Sequence, residues 1–153
     1  MKFLGFILLF LFGIFFSTPF KTISTTQQNV VGGRMESGRS VVFEFKMVAK
    51  KPSSKLQFED VWIGVKHYAI KASHQKADNS ISNDFEKGDT IYFQAIERYL
   101  PNESGELELQ KNPNPKTVPI EYTGQALIGY KYKGKQHYYV IENFTTLKEE
   151  LRP

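Results

Sequence analysis

The stretch LQFEDVWIGVKHYAIKA, Leu56–Ala72, decides how this chain is read, together with GDTIYFQAI at Gly88–Ile96. It holds the only tryptophan, Trp62, and the densest run of Val, Ile, Tyr and Trp. Such residues suit a pleated, half-buried surface. The apolar alternation breaks at Gly64-Val65-Lys66. Gly64 takes a positive φ at no steric cost, so a tight turn at 64–66 predicts a β-hairpin. The alternative is one long strand with a bulge at Gly64. The hairpin puts Tyr68, Ile70 and Ala72 on one face.

On the N-terminal side, Arg39–Lys50 is the cleanest strand. Val41, Phe43, Phe45, Met47 and Ala49 alternate with a partly polar face, the mark of a half-buried antiparallel strand. On the C-terminal side, Ser73–Lys87 is a long polar loop. Thr90–Tyr99 follows as a strand with Ile91, Phe93 and Ala95 on one face. Glu106–Gln110 and Val118–Tyr122 are short strands, the second at an edge because of Pro119. Ala126–Ile141 is a second hairpin. Its three-residue loop, Lys133-Gly134-Lys135, puts Tyr138 and Val140 on the face of Tyr130. In the tail, Phe144, Leu147 and Leu151 are spaced for one helical turn, with Thr146 and Glu149 as a capping box; a frayed end is the alternative.

About seven to nine short strands with regular turns predict an all-β domain. The expected architecture is a single antiparallel β-sandwich, immunoglobulin-like, with a partly open barrel as the second choice. The expected divisions are a signal peptide or membrane anchor at 1–20, a flexible linker at 21–38, the β-sandwich at 39–144 and a tail at 145–153.

The first twenty residues, MKFLGFILLFLFGIFFSTPF, have one cation, Lys2, before an apolar run, Phe3–Phe16. That is an export signal or a retained anchor. Phe3–Phe20 spans 18 residues, at the short end of the ~17–25 that cross a bilayer. No Ala-x-Ala cleavage pattern is present; Thr22 and Ser24 are the nearest substitutes. Residues 21–153 are expected outside the cytoplasm, in the periplasm, secreted, or held at the inner membrane through residues 3–20.

The 153 residues carry a formal charge of +4 with both signs interspersed, which argues against a nucleic-acid partner. With no cysteine, disulfides, a thiol nucleophile, cysteine-bound metals and a lipoprotein anchor are all excluded. No cofactor is expected.

No catalytic or metal motif emerges. His67, His74 and His137 lack paired metal-ligand spacing and read as solvent-facing strand residues. Asp78–Asp84 resembles a calcium loop, but Asn83 stands where such loops need Gly. Asp60, Glu97 and Asp89 are scattered carboxylates that the sequence cannot pair. No serine lies in a nucleophile elbow and no glycine-rich phosphate loop exists. The one candidate contact surface is the basic, aromatic second hairpin: Tyr130, Tyr132, Lys133, Lys135 and Tyr139.

The Lys55-Leu56 onset, Trp62-Ile63-Gly64, His67-Tyr68 and Gly88-Asp89-Thr90-Ile91-Tyr92 together resemble small exported all-β proteins of gram-negative bacteria, a group without an assigned activity. The resemblance covers about Phe43–Ala95 and implies a location and a fold. It carries no site residues. Many such proteins have a lipoprotein cysteine that this chain lacks. The expectation is a non-enzymatic interaction or accessory module in the envelope, with a protein partner there. The alternative is a small-ligand or glycan-binding envelope protein.

Overall fold

The computed structural model describes residues 17–152. The apolar run Phe3–Phe16, read as signal or anchor, lies outside them. Among the described residues no helix is long and apolar enough to cross a membrane.

Among the described residues the chain is all-β, with several sheets and no closed barrel. In chain order the strands are β1 (Phe20–Gly32), β2 (Arg39–Ala49), β3 (Leu56–Ile63), β4 (Lys66–Ala69), β5 (His74–Gln75), β6 (Ile81–Ser82), β7 (Thr90–Pro101), β8 (Leu107–Leu109), β9 (Ala126–Tyr132), β10 (Lys135–Ile141), β11 (Thr145–Thr146) and β12 (Glu150–Arg152). One sheet has the order β11-β1-β2-β7-β8, with β12 also on β1; the second is β10-β9-β3-β4; β5 and β6 form a small third.

A single core takes residues from both large sheets. Phe20, Phe45, Met47 and Ile91 of the first and Leu56, Val61 and Ile128 of the second are almost wholly buried. Aromatic rings fill it: Phe45 stacks on Phe93 at 4.8 Å, and Phe58 lies 5.1 Å from Phe93. Rings packed this way add to the burial of their own area.

The residues expected as a linker form most of β1. Phe20 pairs with Ala49, and the ladder to β2 runs on to Val31 opposite Arg39. The alternation is interrupted by an irregularity between Thr22 and Ser24. Beyond it Thr25 and Gln27 stand opposite Phe45 and Phe43. Polar residues at core-facing positions hide the strand from a hydrophobicity reading, and the backbone ladder to β2 holds it. Phe20, placed by the sequence in the targeting segment, is only 1% exposed. It packs against Phe58 at 5.1 Å, Tyr130 at 5.1 Å and Tyr139 at 5.2 Å.

The tail is strand, not a helical turn. β11 and β12 pair in parallel with β1, so the ordered chain runs past residue 144. Phe144 makes the crossing, 5.1 Å from Phe43 and 5.5 Å from Phe45. The expected strand at Val118–Tyr122 is irregular instead, as Pro119 and the prolines before it favour. β8 forms where expected, but Leu107 is exposed.

Both hairpins form. Ile63 pairs with Lys66 across Gly64-Val65, and Gly64 has φ +60°. The second hairpin closes in two residues, not three: Tyr132 pairs with Lys135, and Lys133 and Gly134 have φ of +51° and +77°. Positive φ at both loop positions is the two-residue turn that matches strand twist. One residue fewer in the loop inverts the parity of the return strand. His137, Tyr139 and Ile141, not Tyr138 and Val140, therefore share the face of Tyr130, Ile128 and Ala126.

Candidate functional site

That inversion changes the expected contact surface. Tyr130 is buried in the core, and Tyr132 and Tyr139 pack against it half-buried. His137 stacks on Tyr130 at 5.5 Å. Of the five residues only Lys133 and Lys135 are exposed. Burial, then the neighbouring Tyr139, push the Tyr130 hydroxyl pKa up.

The densest polar construction lies on the face of the second sheet turned away from the core. β3 places Asp60 and Trp62 there, two residues apart, and β4 sets His67 directly opposite Trp62. β9 contributes Leu127 and Gly129. A Cβ at Gly129 would press on the Trp62 ring, so the bare backbone leaves room for the indole. Trp62 and Leu127 make the apolar part of a patch, with Asp60 and His67 beside them, that an uncovered sheet would expose. The proline-rich stretch 111–118 covers it: Trp62, Leu127, His67 and Asp60 are each at most 5% exposed.

Three residues fasten that cover. Trp62 Nε1 donates to the Lys116 carbonyl at 3.1 Å. Lys116 Nζ donates to both Asp60 carboxylate oxygens at 2.8 Å. Asn112 Nδ2 reaches His67 Nδ1 at 3.1 Å and donates to the His67 carbonyl at 3.1 Å. Asn112 Oδ1 is already accepting from the Asn114 N–H at 3.0 Å. The amide therefore turns its NH2 toward the imidazole, and Nδ1 must accept. That assigns the proton to Nε2, which lies 2.7 Å from Asp60 Oδ1 and donates to it. Lys116 balances the Asp60 charge. Burial pushes the Asp60 carboxyl upward, but the hydrogen bonds from Lys116 and His67 outweigh it and hold the pKa below the ordinary value.

A histidine beside a buried carboxylate invites comparison with a hydrolase site. Here both ring nitrogens are engaged, and among the described residues no hydroxyl is hydrogen-bonded to either. His67 is not the solvent-facing residue its sequence context suggests. It is the centre of a clamp that ties the 111–118 cover to β3 and β4.

A second buried carboxylate sits on the core-facing side of β7. Glu97 accepts from Lys66 Nζ at 2.8 Å and from the Tyr99 hydroxyl at 2.9 Å. The Tyr68 hydroxyl pKa is pushed far up, first by burial and then by Glu97. Asp60 and Glu97 thus occupy opposite faces of different sheets. Asp89, the third candidate, lies in the loop before β7, where it accepts from the Glu86 N–H at 2.8 Å. The structure does not bring the three together.

His74 approaches Asp89 at 3.6 Å. Asp78, in the calcium-like loop, accepts from the Ser80 N–H at 3.0 Å and hydroxyl at 2.6 Å, a local turn. Among the described residues no group of three His, Cys, Asp or Glu side chains is placed to hold a metal ion.

Asn112 and Lys116 carry the clamp, and neither stood out in the sequence. The signal was there in Asn112-Pro-Asn-Pro-Lys116: alternate prolines stiffen a segment that asparagine side chains can fold by local hydrogen bonds.

At the Gly64 end a shallow open groove runs between the β3–β4 turn and residues 118–124. Tyr122 holds it, its hydroxyl donating to the Gly64 carbonyl at 2.7 Å. Its lining is mixed and open to solvent: Val65 is 82% exposed and Ile120 41%, beside Glu121 and Thr123.

No family model, no curated protein and no solved structure matches this chain.

Proposed function

We propose that the chain is an exported, membrane-anchored, non-enzymatic interaction module: an immunoglobulin-like β-sandwich that presents the Val65–Ile120 rim to a protein partner in the cell envelope. The sandwich reading draws on strand order, β1-β2-β7 in one sheet and β10-β9-β3-β4 in the other, around one shared core.

The interaction role rests on one observation. Val65, at the tip of a hairpin, and Ile120 are exposed apolar side chains that line the same open groove. The neutralised, internally bonded His67–Asp60 pair lends no support to a hydrolase. The glycan-binding alternative loses part of its platform, because Tyr130 faces the core and Tyr132 and Tyr139 lean on it.

The retained anchor is supported by the start of the fold. Only Ser17, Thr18 and Pro19 separate the apolar run from Phe20 in the core. Thr22 and Ser24, the residues nearest to a cleavage signal, lie inside β1. Cleavage there would remove Phe20 from the domain.

Photo-cross-linking in native cells tests the partner. A photoreactive residue at Val65 is expected to trap one discrete envelope protein, while the same residue at Lys148 traps none. Equal, diffuse products from both positions would sink the proposal.

A further inference from the structure

We infer that the end of the domain from which the N-terminal apolar run departs is a lysine-rich face that rests on an anionic lipid surface. The inference rests on the membrane-anchored reading above.

Backbone hydrogen bonds gather that end from distant parts of the chain. The Lys50 N–H donates to the Pro19 carbonyl at 2.9 Å, and the Gly88 N–H to the Ala49 carbonyl at 2.7 Å. The Ser53 N–H donates to the Phe85 carbonyl at 2.9 Å, and the Lys133 N–H to the Lys55 carbonyl at 2.9 Å. The start of β1, the β2–β3 turn, the loop before β7 and the tip of the second hairpin therefore meet. They bring Lys21, Lys50, Lys51, Lys55, Lys133 and Lys135 to one end, all exposed. Among the described residues none of the six forms an ion pair with a carboxylate. Lys87 joins them, against Asp84, Glu86 and Asp89.

The opposite end has a different character. The turns there carry Glu36, Glu103, Glu106, Glu121 and Glu142, mixed with Arg34, Arg39 and Arg152. β1, running from one end to the other, separates the two by about 40 Å at ~3.3 Å per residue.

Two independent observations select a lipid surface as the occupant. The first is charge: seven lysines against Asp84, Glu86 and Asp89 leave a positive excess, which is attracted to anionic headgroups within a Debye length. The second is where the chain goes. The described residues begin at Ser17, at this same end, and the residues before them are Phe3–Phe16. A run that inserts into a bilayer would set these lysines at the headgroups and turn the Val65–Ile120 rim outward.

The full-length chain reconstituted in vesicles tests this through lysine acylation rates read by mass spectrometry. In phosphatidylglycerol vesicles Lys51 and Lys133 should label about fivefold or more slowly than in phosphatidylcholine vesicles, the scale expected for lysines held at an anionic surface. Lys111 and Lys148 serve as references and should label alike in both. About 0.5 M salt should erase the difference. Equal rates for Lys51 and Lys133 in the two lipids, relative to the references, would overturn the inference. The anchor reads out separately: a full-length chain that fails to enter neutral vesicles defeats the anchored reading, while protection on phosphatidylglycerol alone leaves the lysine face standing.

Discussion

Replacing Phe20 with alanine tests whether the fold begins where the structure places it. Phe20 is 1% exposed and touches three rings, those of Phe58, Tyr130 and Tyr139, within 5.2 Å of its own. Three contacts of that kind on a first strand residue leave little room for the site to collapse. Truncating a buried phenylalanine costs about 3–5 kcal/mol, and burial of ~200 Å2 at ~25 cal/mol per Å2 gives a similar upper figure. Domains of this kind have roughly 5–15 kcal/mol in total, so the variant should lose a large fraction of its stability. With a urea slope of about 2 kcal/mol per molar, the unfolding midpoint should fall by about 2 M. The assay is Trp62 fluorescence of the purified full chain in mild detergent, so that the apolar run stays solvated. Lys21→Ala, at an exposed neighbour, is the control and should shift stability by less than about 0.5 kcal/mol. A Phe20→Ala midpoint equal to the control would return residues 20–32 to a linker.

Three further outcomes follow from the polar clamp and one glycine. Asp60→Asn should flatten the acid side of the stability curve. The folded-state pKa of Asp60 lies below its ordinary 3.8, so its stabilisation is complete above that pH and is lost as pH falls through the lower folded value. Urea midpoints from pH 6 down to pH 2 would show the parent protein losing more than the variant; parallel curves would contradict the assignment. Asn112→Ala removes two hydrogen bonds to His67, and amide exchange across residues 111–118 should speed up by about tenfold, at ~1 kcal/mol or more lost locally. Unchanged exchange there would show that the cover is held by other contacts. Gly38→Ala should destabilise by at least about 2 kcal/mol, because φ is +62° and the added methyl would overlap the Tyr99 carbonyl; a thermal midpoint within 1–2 °C of the parent, far less than the several degrees such a loss implies, would contradict that geometry.

The strands that sequence reading located are those whose pattern announces itself. β2 and β7 alternate Phe43, Phe45, Met47 and Ile91, Phe93, Ala95 against polar neighbours, and all six are buried. β1 escaped because its core-facing positions past Thr22 hold Thr25 and Gln27, which backbone pairing, not apolar burial, keeps in place. The sequence pattern locates the second hairpin but points its return strand to the wrong face. Lys133 at φ +51° is a conformation that sequence gives no warning of outside Asn, Asp and Gly, and it shortens the turn by one residue. His67 was legible as a strand residue but not as a buried one. Its burial depends on Asn112, 45 positions away, folding over it.

The proposed anchor requires that a domain beginning at Phe20 stay attached to a membrane through the residues before it. Fractionation of native cells followed by intact mass of the recovered chain measures this directly. A retained anchor gives a full-length chain in the membrane fraction, with Phe20 and the apolar run both present. A soluble chain lacking its first twenty or more residues would contradict it.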